Sequence, residues 1–170
     1  MKSAYLFYVG RVVSRQKRCE RLVELQSLLA QSKISSELHI FGNRNIGIEA
    51  SLQRVSSERN IVRWHGIVNS WSRLIDKRSI QIFVSDYEGC PLALLEAQKA
   101  KIENVAAIQG EWTSSYLSSN CIFPTVTQMA NAIIENVDLM NRKHLDTYFD
   151  EGRFYSEIQE LKRRLLEATN

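Results

Sequence analysis

The residues of this sequence that could carry chemistry fall in two short segments. The first holds two carboxylates, Glu88 and Glu96, which are separated by seven residues. Pro91 is favoured at the first position of a helix, and Gly89 permits a sharp turn into it. Free backbone N–H groups at such a helix N-terminus can face a ligand. Because Glu96 then lies about 8 Å along the helix from Pro91, the two carboxylates suit two parts of one extended ligand rather than an acid/base pair acting on one bond.

The second segment carries cations and follows the first apolar run of the chain. Gly10 stands at the end of that run and lets the backbone turn tightly, which leaves space for a ligand to approach. Arg11 and Lys17 come next, on the loop and at the opening of the first predicted helix. A guanidinium and an ammonium beside a helix N-terminus can neutralise a diphosphate. The same cations also fit an ordinary solvated surface, so this segment gains weight only in combination with the carboxylates.

The elements that must position both segments alternate between strands and helices. Apolar runs predict six strands, at residues 5–9, 38–41, 61–64, 80–84, 105–108 and 121–123. Helical spacing predicts helices at 17–31, 47–56, 71–77, 91–101 and 128–140, and a last one that carries Ile158, Leu161, Leu165 and Leu166. Several runs are apolar throughout, which is typical of parallel strands covered on both faces. The pattern predicts one α/β domain over residues 1–170, a Rossmann-like doubly wound parallel sheet with ligands beyond the carboxyl ends of its strands.

Composition and charge exclude several other classes of protein. The 170 residues are 44% hydrophobic and 24% charged, which is ordinary for a folded domain. A net charge of +3 gives no argument for nucleic acid as a partner. No apolar stretch reaches the roughly 18 residues of a membrane span, and the N-terminal run is too short for a signal peptide.

The spacing of the cysteines, histidines and glycines argues against a metal site, a disulfide framework and the common nucleotide-binding motifs. Cys19, Cys90 and Cys121 are odd in number and widely separated, which indicates reduced thiols in a cytosolic protein rather than disulfides or a zinc site. His39 lies in an apolar run and is expected to be a hydrogen-bonded structural side chain, and we predict no metal site. A dinucleotide fingerprint needs three glycines after the strand, whereas Gly42 stands alone, and Walker-type spacing is absent.

The two segments together resemble a known family. Residues 88–97 are similar to the Glu, seven residues, Glu signature of the retaining glycosyltransferases of family 4. These enzymes have the GT-B architecture of two facing Rossmann-like domains, and the signature belongs to the C-terminal, nucleotide-sugar-binding domain. Gly10, Arg11 and Lys17 match the family's Gly-Arg…Lys segment. Residues 38–42 and 61–66 and the tail from Ile122 also fit, so the resemblance spans nearly the whole chain.

The resemblance implies a role for each matched residue. Arg11 and Lys17 would hold the donor's diphosphate and stabilise the negative charge that grows as it leaves. Glu88, the third catalytic residue, would contact hydroxyls of the transferred sugar, and Glu96 would accept hydrogen bonds from the ribose hydroxyls. The leaving phosphate would help to take the acceptor's proton, and neither a metal nor another cofactor is required. The remaining donor-binding positions are Gly10, Gly89, Cys90, Pro91 and Leu92.

The resemblance also implies partners and a location. The donor would be a nucleotide-sugar, and the acceptor a glycan or lipid-linked glycan of surface polysaccharide or lipopolysaccharide synthesis. The N-terminal GT-B domain that binds the acceptor is not in this sequence, so we expect a partner domain and little turnover by the chain alone. The expected location is the cytoplasm, and scattered basic residues are compatible with contact at the inner face of the plasma membrane.

The sequence departs from the family pattern beyond the expected donor pocket. Lys101 and Glu103 stand where the family has a Gly and a Pro, and Gly110 stands alone where it has a Gly-Gly turn. The glycine pair after the second strand is likewise reduced to Gly42. These differences bear on the far loop of the pocket and on the choice of nucleotide, and they leave the two main motifs intact.

Other functions stay open on the residues alone. One is a non-catalytic module of the same fold that binds a nucleotide-sugar or a protein. Another is a sugar-nucleotide epimerase of similar two-domain shape, which would need acid/base residues from a further domain. A flavodoxin- or receiver-like domain fits least, because Gly10 and Arg11 stand where a receiver has clustered acidic residues.

Overall fold

The structure is a computed structural model that describes residues 3–88, 91–102 and 104–140. In this part of the chain, six strands form one sheet in the order β3-β2-β1-β4-β5-β6, and every neighbouring pair is parallel. The predicted Rossmann-like sheet is therefore confirmed. The strands are β1 (Ser3–Val9), β2 (Ser35–Phe41), β3 (Asn60–Gly66), β4 (Ile80–Phe83), β5 (Val105–Ile108) and β6 (Ile122–Phe123).

Helices cover both faces of the sheet, as the apolar strands predict. The elements are α1 (Glu20–Gln31), α2 (Ile46–Val55), α3 (Leu92–Lys99), α4 (Thr113–Tyr116) and α5 (Val126–Met140), with 3-10 turns at Trp71–Arg73 and Ser119–Cys121. None of the described helices is both long and apolar enough to cross a membrane. Successive residues of a strand point to opposite faces, so Leu6 packs with the α1, α2 and α5 side while Phe7 packs with the α3 side.

The core is correspondingly divided between the two faces. The larger cluster lies between the sheet and the helices α1, α2 and α5, and its fully buried members include Leu6, Leu22, Leu25, Leu29, Leu38, Ile40, Leu52, Met129 and Ile133. The opposite face holds two smaller clusters. One contains Phe7, Phe41, Trp71, Ala97 and Ile102, and the other contains Phe83, Leu94, Val105, Ala107 and Trp112.

The direction of strand addition reverses between β1 and β4. From β1 the chain proceeds outward to β2 and β3, and from β4 it proceeds the other way to β5 and β6. The two central strands pair directly, with Leu6 opposite Ile80 and Phe7 opposite Gln81. The loops that leave their carboxyl ends therefore diverge to opposite faces and open a crevice, which is where ligands bind in sheets of this kind.

One predicted helix is not formed, another begins three residues later than predicted, and the other predicted helices among the described residues differ from their predicted bounds by one or two residues at an end. The helix expected at 71–77 is a single 3-10 turn, Trp71–Arg73, because Asp76 starts a turn in which its carboxylate accepts the Arg78 backbone N–H (2.8 Å). The helix expected from residue 17 begins at Glu20, because Arg18 adopts a left-handed conformation with φ of 47°. Lys17 consequently lies on the loop rather than on the helix. The predicted helix at Ile158–Leu166 lies outside the described residues.

His39 is a structural histidine, as predicted, but its partner was not foreseen. The Nδ1 atom of His39 lies 2.9 Å from Nε2 of His65, and its Nε2 atom lies 3.2 Å from a Glu37 carboxylate oxygen. Burial lowers the pKa of both imidazoles. Since the register of β2 and β3 decides that these rings meet, spacing along the chain could not reveal the pair.

Candidate functional site

A largely shielded ion pair at the carboxyl ends of β1 and β4 joins the two sequence motifs. The Lys17 ammonium lies 2.6 Å from Oε1 and 2.7 Å from Oε2 of Glu88. Only 15% of the Lys17 side chain and 10% of the Glu88 side chain are exposed. The residues are 71 positions apart in the chain, and the loops after β1 and β4 bring them together. Two of the three predicted catalytic side chains thus form one ion pair that is largely shielded from solvent.

A second set of contacts ties the same two loops together. The carboxylate of Asp86 accepts hydrogen bonds from Arg18 Nε (2.5 Å) and Arg21 Nη1 (2.6 Å). Gln16 binds the backbone carbonyl of Tyr87 (3.2 Å) through its side chain, and its own carbonyl accepts the Asp86 N–H (3.3 Å). The Arg18 guanidinium holds the pKa of Asp86 below its usual range. Asp86 was missed in the sequence, although an aspartate two residues before Glu88 at a strand end was a usable signal.

The loop after β1 is also packed tightly against the end of β2. Gly10 has φ of 151°, which favours glycine, and its N–H donates to the carbonyl of Phe41 (2.9 Å). A Cβ atom on Gly42 would lie 2.0 Å from the Gly10 carbonyl oxygen, so position 42 has no room for a side chain. The Asn43 side chain accepts the Val12 N–H (2.9 Å). The Gly10 loop is therefore held in place by the neighbouring strand.

Arg11 is fixed through its backbone and exposed at its side chain. Its carbonyl accepts a hydrogen bond from the hydroxyl of buried Tyr8 (2.9 Å), and burial raises the pKa of Tyr8 well above its usual range, so that the hydroxyl stays a donor. Among the described residues, no partner for the Arg11 guanidinium is found. The structure does not join Arg11 to the Lys17–Glu88 pair, and it leaves this cation open to a ligand.

Glu96 has a different environment from Glu88. It lies on α3, and its Oε2 accepts a hydrogen bond from the indole N–H of Trp71 (2.8 Å). Trp71 is only 5% exposed, and its ring centroid lies 5.3 Å from that of Phe7 and 6.2 Å from that of Phe41. Sequence reasoning missed this partner because it placed Trp71 on a helix, and nothing in the spacing of Trp71 and Glu96 indicates their contact.

The start of α3 borders the crevice. Pro91 is buried and caps the helix, and its carbonyl accepts the Leu94 N–H (2.8 Å). Leu92 is the first helical residue, and 58% of it is exposed. Pro91 therefore stands one position before the helix rather than at its first residue. The predicted donor-binding positions Gly89 and Cys90 lie outside the described residues.

The charges and hydrogen-bonding groups of these side chains are of the kind that an anionic ligand with hydroxyl groups needs. Arg11 and Lys17 carry positive charge on the loop after β1, and Glu88 and Glu96 carry acceptors for hydroxyl donors. The ion pairs of Asp86 with Arg18 and Arg21 join the loop after β4 to the segment after β1. Within the described residues, no group of three or more histidine, cysteine, aspartate or glutamate side chains could hold a metal ion.

Comparison with known proteins identifies the family. The fold is that of a Rossmann-like α/β domain of the kind found in GT-B enzymes. The profile of the family described as "Glycosyl transferases group 1" matches residues 3–138. The chain belongs to this family, which confirms the resemblance drawn from the two motifs. No curated protein matches the sequence.

Solved structures share the fold at low sequence identity. TarM aligns with a TM-score of 0.64 and 20% identity over 81% of this chain and 29% of its own. The apo form of the lipopolysaccharide outer core galactosyltransferase WaaB aligns with a TM-score of 0.60 and 18% identity over 85% of this chain and 46% of its own. WaaG, a glycosyltransferase involved in lipopolysaccharide biosynthesis, aligns with a TM-score of 0.62 and 16% identity over 82% of this chain and 40% of its own. This chain spans less than half the length of each of these three.

Proposed function

We propose that the protein is the donor-binding part of a retaining glycosyltransferase, which moves a hexose from a nucleoside diphosphate sugar to a glycan or lipid-linked acceptor. The observation that carries this proposal is the shielded Lys17–Glu88 pair at the carboxyl ends of β1 and β4. The pair supports the proposal because its ammonium can bind phosphate and its carboxylate can accept sugar hydroxyls, and it lies at the edge of the sheet where ligands bind in folds of this kind. Family membership supports the reaction class.

The diphosphate end of the donor is assigned to Arg11 and Lys17. The Arg11 guanidinium is exposed, and such a group can bind two phosphate oxygens at once. The Lys17 ammonium has three N–H donors, so it can keep Glu88 and still donate to a phosphate oxygen. As the bond to the sugar breaks, negative charge grows on the leaving diphosphate, and these fixed cations stabilise it without reorganisation.

The sugar end of the donor is assigned to Glu88. Its two carboxylate oxygens have lone pairs beyond those used by Lys17, and they can accept hydrogen bonds from sugar hydroxyls. In this proposal the leaving phosphate takes the acceptor's proton, so the chain supplies no separate base. Arg11 and Lys17 provide the charge that a metal ion would otherwise provide, and we propose that no metal is needed.

The ribose is assigned to Glu96. Its carboxylate is tied to Trp71 by one oxygen, which leaves the other to accept hydroxyl donors. Since Glu96 lies along α3 from the helix start, ribose and sugar would bind at opposite ends of the diphosphate. The donor would then run from Glu96 past the α3 N-terminus to Glu88.

The acceptor and a second domain complete the proposal. WaaB and WaaG act in lipopolysaccharide synthesis, and a structure of S. aureus TarM holds UDP and α-GlcNAc-glycerol. We propose a surface polysaccharide or lipopolysaccharide acceptor for this protein, bound by a second GT-B domain that forms the other wall of the cleft. The cytoplasmic location and contact with the plasma membrane stay predictions.

Ligand-observed NMR of the 170-residue chain against UDP, GDP, ADP and CMP and their common sugar conjugates tests the donor site. We expect one nucleoside diphosphate to bind selectively and Lys17→Met to abolish the signal. Arg15→Met is the matched control, because it removes an exposed cation of the same loop that lies outside the Lys17–Glu88 pair. A folded chain that binds none of these nucleotides contradicts the proposal.

Transfer itself is tested in a protein that carries both GT-B domains. Glu88→Gln and Arg11→Ala should each lower kcat by about a hundredfold or more, as loss of charge stabilisation does elsewhere. Unchanged transfer in both variants contradicts the assigned roles and favours a non-catalytic module of the same fold.

A further inference from the structure

We propose that Trp71 is a positioning residue, which holds Glu96 so that the site prefers ribose to 2′-deoxyribose. This inference rests on the proposed function, because it takes Glu96 as the ribose-binding carboxylate. It adds a residue that neither motif contains and that comes from a different loop, the one that follows β3.

The contact itself is specific in its geometry. The Trp71 indole N–H donates to Oε2 of Glu96 over 2.8 Å. An indole has this one donor and no acceptor, so the bond occupies one of the two carboxylate oxygens of Glu96. Within the described part of the chain, Oε1 of Glu96 has no partner. One oxygen is thereby held by the protein, and the other remains available.

The donor atom cannot move easily, because the indole is part of the core. Trp71 is 5% exposed and lies among Phe7, Phe41 and Ala97 on the α3 face of the sheet. Phe7 belongs to β1 and Phe41 to β2, so the position of the N–H is set by the sheet that also carries the Gly10 loop. Interiors packed at this density do not let a ring of this size reorient freely.

The hydrogen bond has two consequences for a ligand. First, a glutamate on an exposed helix face loses side-chain freedom when it binds, and a carboxylate already held in position loses less. Second, the indole is neutral, so Glu96 keeps its full negative charge for hydroxyl donors, whereas Glu88 shares its charge with Lys17. A fixed, charged carboxylate suits two vicinal hydroxyls and is left partly unsatisfied by a sugar that lacks one of them.

The test compares ribonucleotides with their 2′-deoxy forms by isothermal titration of the 170-residue chain. The probes are UDP and dUDP, with GDP and dGDP or ADP and dADP if UDP does not bind. We expect the unsubstituted chain to prefer the ribonucleotide about tenfold, the size of one hydrogen bond to a charged group. In Trp71→Phe the preference should fall to about threefold or less, through weaker binding of the ribonucleotide and little change for the deoxynucleotide.

Two further variants separate positioning from packing. Trp112→Phe removes the indole N–H of another buried tryptophan, which binds the Ser85 carbonyl, and it should keep the full ribose preference. Glu96→Gln should weaken the preference by itself, and adding Trp71→Phe to it should change the preference no further. A purely structural role of Trp71 would instead weaken both nucleotides equally.

A spectroscopic measurement on the unsubstituted chain covers the case in which Trp71→Phe does not fold. The indole ¹H–¹⁵N resonance of Trp71, assigned through contacts with Phe7 and Phe41, should shift more with UDP than with dUDP. A folded Trp71→Phe that keeps the full preference, or an indole signal that responds equally to both nucleotides, overturns the inference and leaves the proposed function intact. Absence of nucleotide binding by the unsubstituted chain overturns both.

Discussion

Glu88 and Glu96 belong to one motif, yet their surroundings differ in kind. Glu88 lies on a loop in a shielded ion pair with Lys17, at 2.6 and 2.7 Å. Glu96 lies on the regular helix α3 and is held by the neutral indole of Trp71, at 2.8 Å. One carboxylate is thus fixed by charge between two loops, and the other by a hydrogen bond from the apolar core.

In the proposed function, this difference means that the two ends of the donor meet carboxylates held in different ways. The Glu88 end depends on contacts between loops, and these contacts involve the residues that would meet the diphosphate. The Glu96 end depends on the packing of Phe7, Phe41 and Trp71 on the α3 face of the sheet. The Glu96 carboxylate has no cationic partner among the described residues. Substitutions in the core should therefore affect the Glu96 end, and changes of charge should affect the Glu88 end.

The largest effect is expected from removing the aromatic support of Trp71. Phe7→Ala should lower the free energy of unfolding by about 3–5 kcal/mol, because it empties space beneath Trp71 in a site that is 0% exposed. Urea denaturation measures the change. Tyr5→Ala is the matched control on the same strand and face, where 46% of the side chain is exposed. Equal losses in the two variants would contradict the role of the packed aromatic cluster.

The next largest effect is expected from breaking the ion pair between Lys17 and Glu88. Lys17→Met and Glu88→Gln should each destabilise the chain by about 1–3 kcal/mol, because each leaves a shielded partner unsatisfied. The double variant should lose clearly less than the sum, and a double-mutant cycle in urea gives the coupling energy. Additive losses would mean that the two side chains do not interact in solution.

A smaller effect of opposite sign is expected at the end of α3. Lys101 has φ of 60°, and its N–H binds the Gln98 carbonyl while the Ile102 N–H binds Ala97, which is a Schellman ending. Lys101→Gly should therefore raise the free energy of unfolding by about 1 kcal/mol, since glycine adopts this conformation without strain.

Lys99→Gly is the matched control for that change, because it replaces the same residue type at the last residue of α3, which has helical rather than left-handed backbone. It should lower the free energy of unfolding by about 0.5–1 kcal/mol. The same sign for both substitutions in urea denaturation would contradict the conformational explanation.

The smallest effect is expected from pH at Asp86. Because the Arg18 guanidinium lowers the pKa of Asp86 in the folded chain, this carboxylate adds stability above the unfolded pKa of about 3.9. That stability is lost as the pH falls through the lowered folded pKa. The Tm difference between the unsubstituted chain and Asp86→Asn should be present at neutral pH and vanish in strong acid.

Salt sharpens the contrast between the two ion pairs. The Asp86 side chain is 40% exposed, so molar salt should remove most of its small contribution, whereas the shielded Lys17–Glu88 pair should keep most of its own. A Tm difference between the unsubstituted chain and Asp86→Asn that grows in acid or in salt would contradict the ion pair assigned to Asp86.

The sequence predicted most of the fold because parallel strands covered on both faces have a simple pattern. Apolar runs such as Ile80–Phe83 and Val105–Ile108 are buried at every position, and helices between them follow from their apolar spacing. The helix predicted at 71–77 failed because the local turn at Asp76 overrides that spacing. The start of α1 was predicted too early because Arg18 has a left-handed backbone conformation. A residue other than glycine in that conformation leaves no signal in the sequence.

The site was predictable only in part. Motif spacing predicts Arg11, Lys17, Glu88 and Glu96, because the chemistry of diphosphates and hydroxyls limits which side chains can serve, and the structure brings Lys17 and Glu88 together. Motif spacing did not identify Trp71, whose contact with Glu96 spans 25 positions and depends on how the loop after β3 packs under α3. Contacts between distant loops follow from the sheet order, and a single sequence does not encode that order in its local spacing.

The most direct test of the account compares the two glutamates with two ligands. The Kd of the nucleoside diphosphate that binds the chain, and of its hexose conjugate, would be measured by isothermal titration for Glu88→Gln and Glu96→Gln. Glu96→Gln should weaken both ligands to the same degree, about tenfold, because both contain the ribose. Glu88→Gln should weaken only the hexose conjugate and leave the free diphosphate unchanged or bound more tightly, since Lys17 is released. Equal effects of the two variants on both ligands would contradict the division of the site.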